Sequence, residues 1–295
     1  MNARAADFAS GKGHRDENFP VASWLLAPAH RAPIMAFYRF ARAADDIGDH
    51  PTASAEDRLA GLAAMRAGLG GTGATEAEAL REVMAAHGID PVHAHELLDA
   101  FEQDVRVSRY DNWQGLMAYC RLSAAPVGRF VLDVHGEDRA CWPASDALCA
   151  ALQVINHLQD CGKDYRAIDR VYLPLDLVAA NNARIEDLGA AAATPELRAT
   201  IAALAARTQG LLAASAPFAS MIRSRRLGME VAVIQRLAES LVERLLVHDP
   251  LRERVHHRKA EAGLLALGAA ARRWLAGGPN ECRNVPGDRA RARPR

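Results

Sequence analysis

Apolar residues recur along this chain at intervals of three and four, and no stretch alternates long enough to make a strand, so the pattern predicts helices throughout. Pro28 and Pro33 bracket a turn. After it, Ala36 to Ala44, apolar except at Arg39 and Arg42, forms a helix that runs into Asp45-Asp46-Ile47-Gly48-Asp49. Pro51 to Ser54 ends that helix, and Ser54-Ala55-Glu56-Asp57 starts the next with an acidic first turn. Gly70 to Ala74 is a loop, Thr75 to His87 a helix stopped by Gly88, and Asp90-Pro91 the opening of a helix with Leu97, Leu98, Phe101 and Val105 at helical spacing. Trp113 to His135 reads as one long helical pattern in which Pro126 and Gly128 mark a kink or an end. The central helix spans Ala144 to Tyr165, followed by an extended exit, Arg170 to Pro174. A turn at Asn181-Asn182, a short helix, one long helix or two broken at Pro217 between Thr194 and Arg225, and helices over Met229–Leu246 and His257–Leu275 complete the chain. The class is all-α: one domain over residues 16–278 with a pocket between helices, flanked by segments 1–15 and 279–295 whose composition predicts disorder, the second of them basic.

Two places break the apolar pattern in the same way. In the central helix Asn156, Asp160 and Asp164 stand four apart, which stacks them on one face above the run Ala150 to Ile155, where only Gln153 is polar. Asp45 and Asp49 are likewise four apart, with Asp46 beside them. Either face taken alone could be a solvated acidic surface. Carboxylates at the C-terminal end of an apolar helix, however, oppose the helix dipole. Mg²⁺ takes carboxylate and amide oxygens and keeps its other positions for water or phosphate. Together the two faces predict facing carboxylates that clamp a metal–diphosphate group.

Composition narrows the classes further. A formal net charge of zero argues against a nucleic-acid partner. The five cysteines lack CxxC spacing and read as reduced cytosolic thiols. No HxxxH or HExxH pair offers a zinc site. The chain opens without a charged-then-apolar signal pattern and holds no run of apolar residues long enough to span a bilayer, which leaves peripheral membrane contact open.

With both acidic clusters in view, the chain resembles the squalene/phytoene synthase family from Asn18 to Leu275. Phe37 to Asp49 is similar to that family's first aspartate-rich motif, Tyr119-Cys120-Arg121 through Val127-Gly128 to its central segment, and Gln153 to Asp164 with Arg170-Val171-Tyr172-Leu173-Pro174 to its second aspartate-rich motif and exit. Within the family, Asn18-Phe19-Pro20-Val21-Ala22-Ser23, Ser123 to Gly128 and Gln159 resemble the hydroxysqualene synthase branch of the hopanoid pathway; Gln159 stands where the squalene and phytoene branches usually carry arginine. The segment Tyr165 to Asp169 departs from the family in being longer and more acidic than the usual lead-in to the exit arginine.

The resemblance implies an all-α isoprenoid-synthase fold with a central cavity and a Mg²⁺-dependent conversion of presqualene diphosphate and water to hydroxysqualene and diphosphate. It also implies substrate handed over by a presqualene diphosphate synthase, in the cytoplasm or peripherally at the inner membrane face. Asp45, Asp49, Asn156, Asp160 and Asp164 then serve as catalytic, metal-holding residues, and Arg42, Tyr119, Ser123, Gln153, Gln159, Arg170, Tyr172 and Phe19 as substrate contacts. Phe37, Phe40, Tyr119, Val127 and Phe130 join Phe19 as candidates for an apolar wall that keeps a carbocation dry. Tyr119, Ser123 and Gln159 are candidates to hold the water. Against these stand plainer roles: Arg42 as an ion pair with Asp46, Tyr172 as a core residue, Gln153 as a local cap. Two further readings of the whole chain are condensation of two farnesyl diphosphates, with or without reduction, and a non-catalytic helical binding protein.

Overall fold

The computed structural model describes residues 28–276, so Phe19, its motif and both flanking segments lie outside the described residues. Twelve α-helices and no strand occur among the described residues. The first helix, α1 (Pro28–Gly48), begins earlier than expected: Pro33 lies inside it instead of closing a turn. Pro33 is the sixth residue of α1, so the helix forgoes there the one bond that an N–H would make to the Ala29 carbonyl. Helices α2 (Ala55–Leu69), α3 (Thr75–His87) and α4 (Val92–Arg106) follow. Ser54 caps α2 by accepting from the Asp57 N–H, and Gly88 ends α3 with φ +64°, a conformation that costs glycine little.

The long pattern from Trp113 is two helices, α5 (Trp113–Ser123) and α6 (Ala125–Val134), parted at Ala124 with Pro126 in the first turn of α6. Gly128 serves close approach: a Cβ there would lie 2.5 Å from Ser145 Oγ and 2.6 Å from Cys149 Sγ. The longest element, α7 (Trp142–Ile168), carries both ends of the second polar motif and stops at Asp169, φ +50°. The exit pairs backbone to backbone with the segment after α4, Val171 N–H to Ser108 O and Leu175 N–H to Tyr110 O, both 2.9 Å. A short α8 (Leu175–Ala180), absent from the sequence reading, precedes the turn at Asn181-Asn182, and the expected short helix after that turn is a 3₁₀ segment, Ile185–Gly189. Helices α9 (Pro195–Ser215), α10 (Phe218–Met221), α11 (Arg225–Leu245) and α12 (Lys259–Leu275) follow, the break falling at Pro217.

Two apolar cores result. One joins α1 to α4 through Phe40, Ile47, Leu62, Met65, Leu80 and Leu98, with Phe130 of α6. The other surrounds α7 and includes Leu116, Leu148, Ile155, Leu158, Leu204 and Leu241. Side chains of α1, α4, α5, α6, α7 and α11 line a cavity of about 1200 Å³ whose wall draws on both cores. No helix among the described residues is long and apolar enough to cross a membrane.

Candidate active site

The cavity takes its polar wall from α1 and α7. Asp45 sits in the last turn of α1 and Asp49 just beyond it, held in register because the Asp49 N–H donates to the Asp45 carbonyl at 2.9 Å. Asn156, Asp160 and Asp164 line the same cavity from successive turns of α7. Arg42, Tyr119, Ser123, Gln153, Gln159, Arg170 and Tyr172 line it too. Every site residue expected from the sequence that falls among the described residues thus shares one cavity, although the two motifs are more than a hundred positions apart.

The acids on α1 come with their own cations. Arg42 donates to Asp45 at 2.7 Å and to Asp46 at 3.0 Å, so its pairing with Asp46 is real and reaches Asp45 as well. Arg170, itself buried, donates to Asp49 at 2.5 Å and to the Asp104 carbonyl at 2.9 Å. Burial works against the Arg170 charge, but Tyr172, Asp104 and Asp49 together outweigh it and raise its pKa. On α7, Asp160 pairs among the described residues only with the exposed Lys163, at 3.2 Å. Burial, then the neighbouring Asp160, pushes the Asp164 carboxyl up to about 7. Burial, then Asp49, does the same to Asp45 against the pull of Arg42. The 35% exposure of the Asp45 side chain is to the cavity it lines.

Asp104 lines the same cavity and was passed over by the sequence reading. It is buried, accepts from the Tyr119 hydroxyl at 2.8 Å, and is pushed up to about 7 by burial in spite of Arg170. Its signal was legible: it stands three residues after Phe101 and seven after Leu97, on the apolar face of α4, where an acid needs a reason. His157 was missed as well. Its ring stacks on Tyr172 with centroids 3.4 Å apart, and burial, then Arg170, lowers its pKa to about 3, so it is neutral at ordinary pH. Its Nε2 is buried with no hydrogen-bond partner among the described residues.

Of the three candidates for holding water, Tyr119 is committed to Asp104, and Gln159 donates to the Val255 carbonyl at 2.5 Å, fastening the segment after α11. Ser123 Oγ is buried in the cavity wall without a hydrogen-bond partner. Phe37, Tyr119, Val127 and Phe130 line the cavity; Phe40 does not, being wholly buried in the first core.

Among the described residues no group of three His, Cys, Asp or Glu side chains is gathered closely enough to hold an ion. The donor set nevertheless suits Mg²⁺, all carboxylate and amide oxygens. Burial first and the neighbouring acids second raise the carboxyls of Asp45 and Asp164, and a bound cation would offset the second of these.

Comparison with known proteins bears on this arrangement. The squalene/phytoene synthase family model matches residues 13–261. A hydroxysqualene synthase of Zymomonas mobilis is 58% identical over 91% of this chain and 92% of its own length. One of Rhodopseudomonas palustris is 51% identical over 90% and 91%. A crystal structure of a squalene synthase from Alicyclobacillus acidocaldarius superposes with a TM-score of 0.67 at 32% identity, covering 76% of this chain and 85% of that one, and shares the all-α isoprenoid-synthase architecture.

Proposed function

The chain belongs to the squalene/phytoene synthase family, and from that premise we propose that it converts presqualene diphosphate and water into hydroxysqualene and diphosphate, with Mg²⁺ as cofactor. The observation that carries this reading is the likeness to hydroxysqualene synthases along nearly the whole of both chains. An enzyme of this type fits the cavity: charged at the α1–α7 wall, apolar around Phe37, Phe130, Leu148 and Val231.

Asp45, Asp49, Asn156, Asp160 and Asp164 would hold the metal. Mg²⁺, when bound, neutralises the charge that develops on the departing diphosphate. Arg42 and Arg170 keep the α1 carboxylates in place before substrate arrives, so little reorganisation is left for the reaction. Phe37 and Phe130, stacked at 4.1 Å, give the carbocation a wall that offers no nucleophile. His157, neutral and packed on Tyr172, adds no positive charge to repel it. Of Tyr119, Ser123 and Gln159, Ser123 has the hydroxyl with hydrogen-bonding capacity to spare among the described residues, and it holds the one water that reacts. The carbon–oxygen bond to diphosphate breaks, a carbon–oxygen bond to water forms, and the proton released passes to the diphosphate. The substrate arrives from a presqualene diphosphate synthase.

Incubation with presqualene diphosphate and Mg²⁺ in ¹⁸O-labelled water should give hydroxysqualene carrying the label, at a rate indifferent to NADPH. Squalene formed only with NADPH would point to the reductive synthase, and unchanged presqualene diphosphate to the condensing one; either result rejects the proposal.

A further inference from the structure

The cavity accounts for the chemistry of α1 and α7 but leaves α12 unexplained. From Ala262 to Ala271 this helix carries no charged or hydrogen-bonding side chain on any face. A helix apolar all round belongs in a core or against lipid. One side of α12 is in a core: Ala269 packs with Val233 and Leu237 of α11, and Leu265, Ala266 and Ala270 pack around them. The opposite side is bare. Leu264 is 73% exposed, Leu267 68%, Trp274 54% and Leu275 84%, and their spacing of three, seven and one sets them in a single stripe. Of the seven large hydrophobic residues exposed among the described residues, these are four, so the exposure is concentrated and not scattered.

The charges around the stripe are of one sign. Arg258 and Lys259 stand exposed at its start and Arg272 near its end. Arg225, also exposed, lies over the Trp274 ring at 4.1 Å. The one acid on α12, Glu261, is already held by Arg244. Exposed leucines, a tryptophan at one end and basic side chains without competing acids are what the boundary of an anionic bilayer takes up.

We propose that the outer face of α12 is the surface by which the enzyme rests on an anionic membrane, with Leu264, Leu267, Trp274 and Leu275 entering the headgroup boundary and Arg258, Lys259, Arg225 and Arg272 meeting lipid phosphates. This places α11, whose other residues Leu227, Val231 and Ile234 line the cavity, between the lipid and the reaction chamber.

Flotation of the full chain with phosphatidylcholine vesicles, with and without phosphatidylglycerol, tests it. The chain should float with the anionic vesicles and detach as salt rises. Brominated lipid should quench fluorescence that Trp274→Phe removes. Leu264→Glu with Leu267→Glu should lower binding at least tenfold. Arg258→Glu with Lys259→Glu should lower it by about fivefold or more per charge on anionic vesicles only. All variants should melt like the wild type and turn over detergent-dispersed substrate unchanged, so that failure here is distinct from failure of the proposed activity. A wild type that stays with neither kind of vesicle overturns the proposal, as does binding indifferent to the paired leucine change. So does a paired leucine change that turns a dimer into a monomer while vesicle binding persists, since the face then belongs to a second copy.

Discussion

The two acidic walls of the cavity are built from the same spacing of the same residues and are nonetheless unlike. On α1 each carboxylate has a guanidinium within hydrogen-bonding distance, Arg42 on Asp45 and Asp46, Arg170 on Asp49. On α7 Asp160 meets a lysine whose side chain is 58% exposed, and Asp164 feels Asp160 and Lys163 of its own helix more than Asp49 and Arg170. Guanidinium holds carboxylate through a planar fork at fixed geometry, whereas an exposed ammonium is a mobile point charge. The first wall is therefore set in advance. The second is left for an incoming cation to organise. The difference also separates stability from activity: the pair that buried Arg170 makes on the α1 side bears on folding, whereas half-exposed Asp160 on α7 bears on turnover.

The largest effect should come from removing an acid on either wall. Asp45→Ala and Asp160→Ala should each lower turnover of presqualene diphosphate at saturating Mg²⁺ by at least about a hundredfold, leaving the helical circular dichroism spectrum intact. Near-normal turnover in either variant would remove the acids from the mechanism and with them the reason for comparing the walls.

The comparison sharpens in the cations. Arg170→Ala leaves Asp104, whose side chain is 5% exposed, without its guanidinium neighbour, and denaturant unfolding should show a loss of about 3 kcal/mol. Lys163→Ala, on the exposed side, should change stability by less than about 0.5 kcal/mol. Equal losses would mean that the walls do not differ as described.

The pH dependence of the metal-free protein probes the same burial. Burial pushes the Asp104 carboxyl of the folded protein up to about 7, from the ordinary 3.8. Below 3.8 both states are protonated; between the two values the folded state holds the proton that the unfolded state has lost. Stability therefore falls as pH rises through this window and levels off above about 7. Asp104→Asn cannot titrate, so its stability relative to wild type should improve by on the order of 4 kcal/mol from acid to mildly basic pH. His157 works the other way: its pKa is lowered to about 3, so it favours the fold above its ordinary value of 6.5 and loses that contribution as the solution is acidified. Taking the difference between Asp104→Asn and wild type cancels that term. A flat difference would show Asp104 to be ordinary.

The smallest effect belongs to the basic segment that ends the sequence. Truncation after Gly278 removes a segment without apolar periodicity and should leave turnover of detergent-dispersed substrate within about twofold. Loss of activity would bring the tail into the site.

Much of this molecule was legible in one dimension. Helical periodicity, the caps at Ser54 and Gly88, and the four-residue spacing within each motif are local properties, settled by backbone geometry over a turn or two. They were enough to predict an all-α chain and to nominate the residues that line its cavity. Local pattern misled at Pro33, which fits a turn as well as the interior of a helix: α1 runs back to Pro28, with Ile34 buried in the core around α7 and Phe37 in the core of α1 to α4. Which acid meets which cation was a matter for tertiary structure. Asp49 and Arg170 are 121 positions apart, and the arginine reaches the acid because the exit from α7 bonds to the backbone beyond α4. Asp104 and His157 acquire their shifted ionisation the same way, since desolvation depends on everything packed around a group and not on its neighbours in the chain. The sequence by itself determined what groups the site contains; only the fold decided which of them are buried, which are already paired, and which remain open to react.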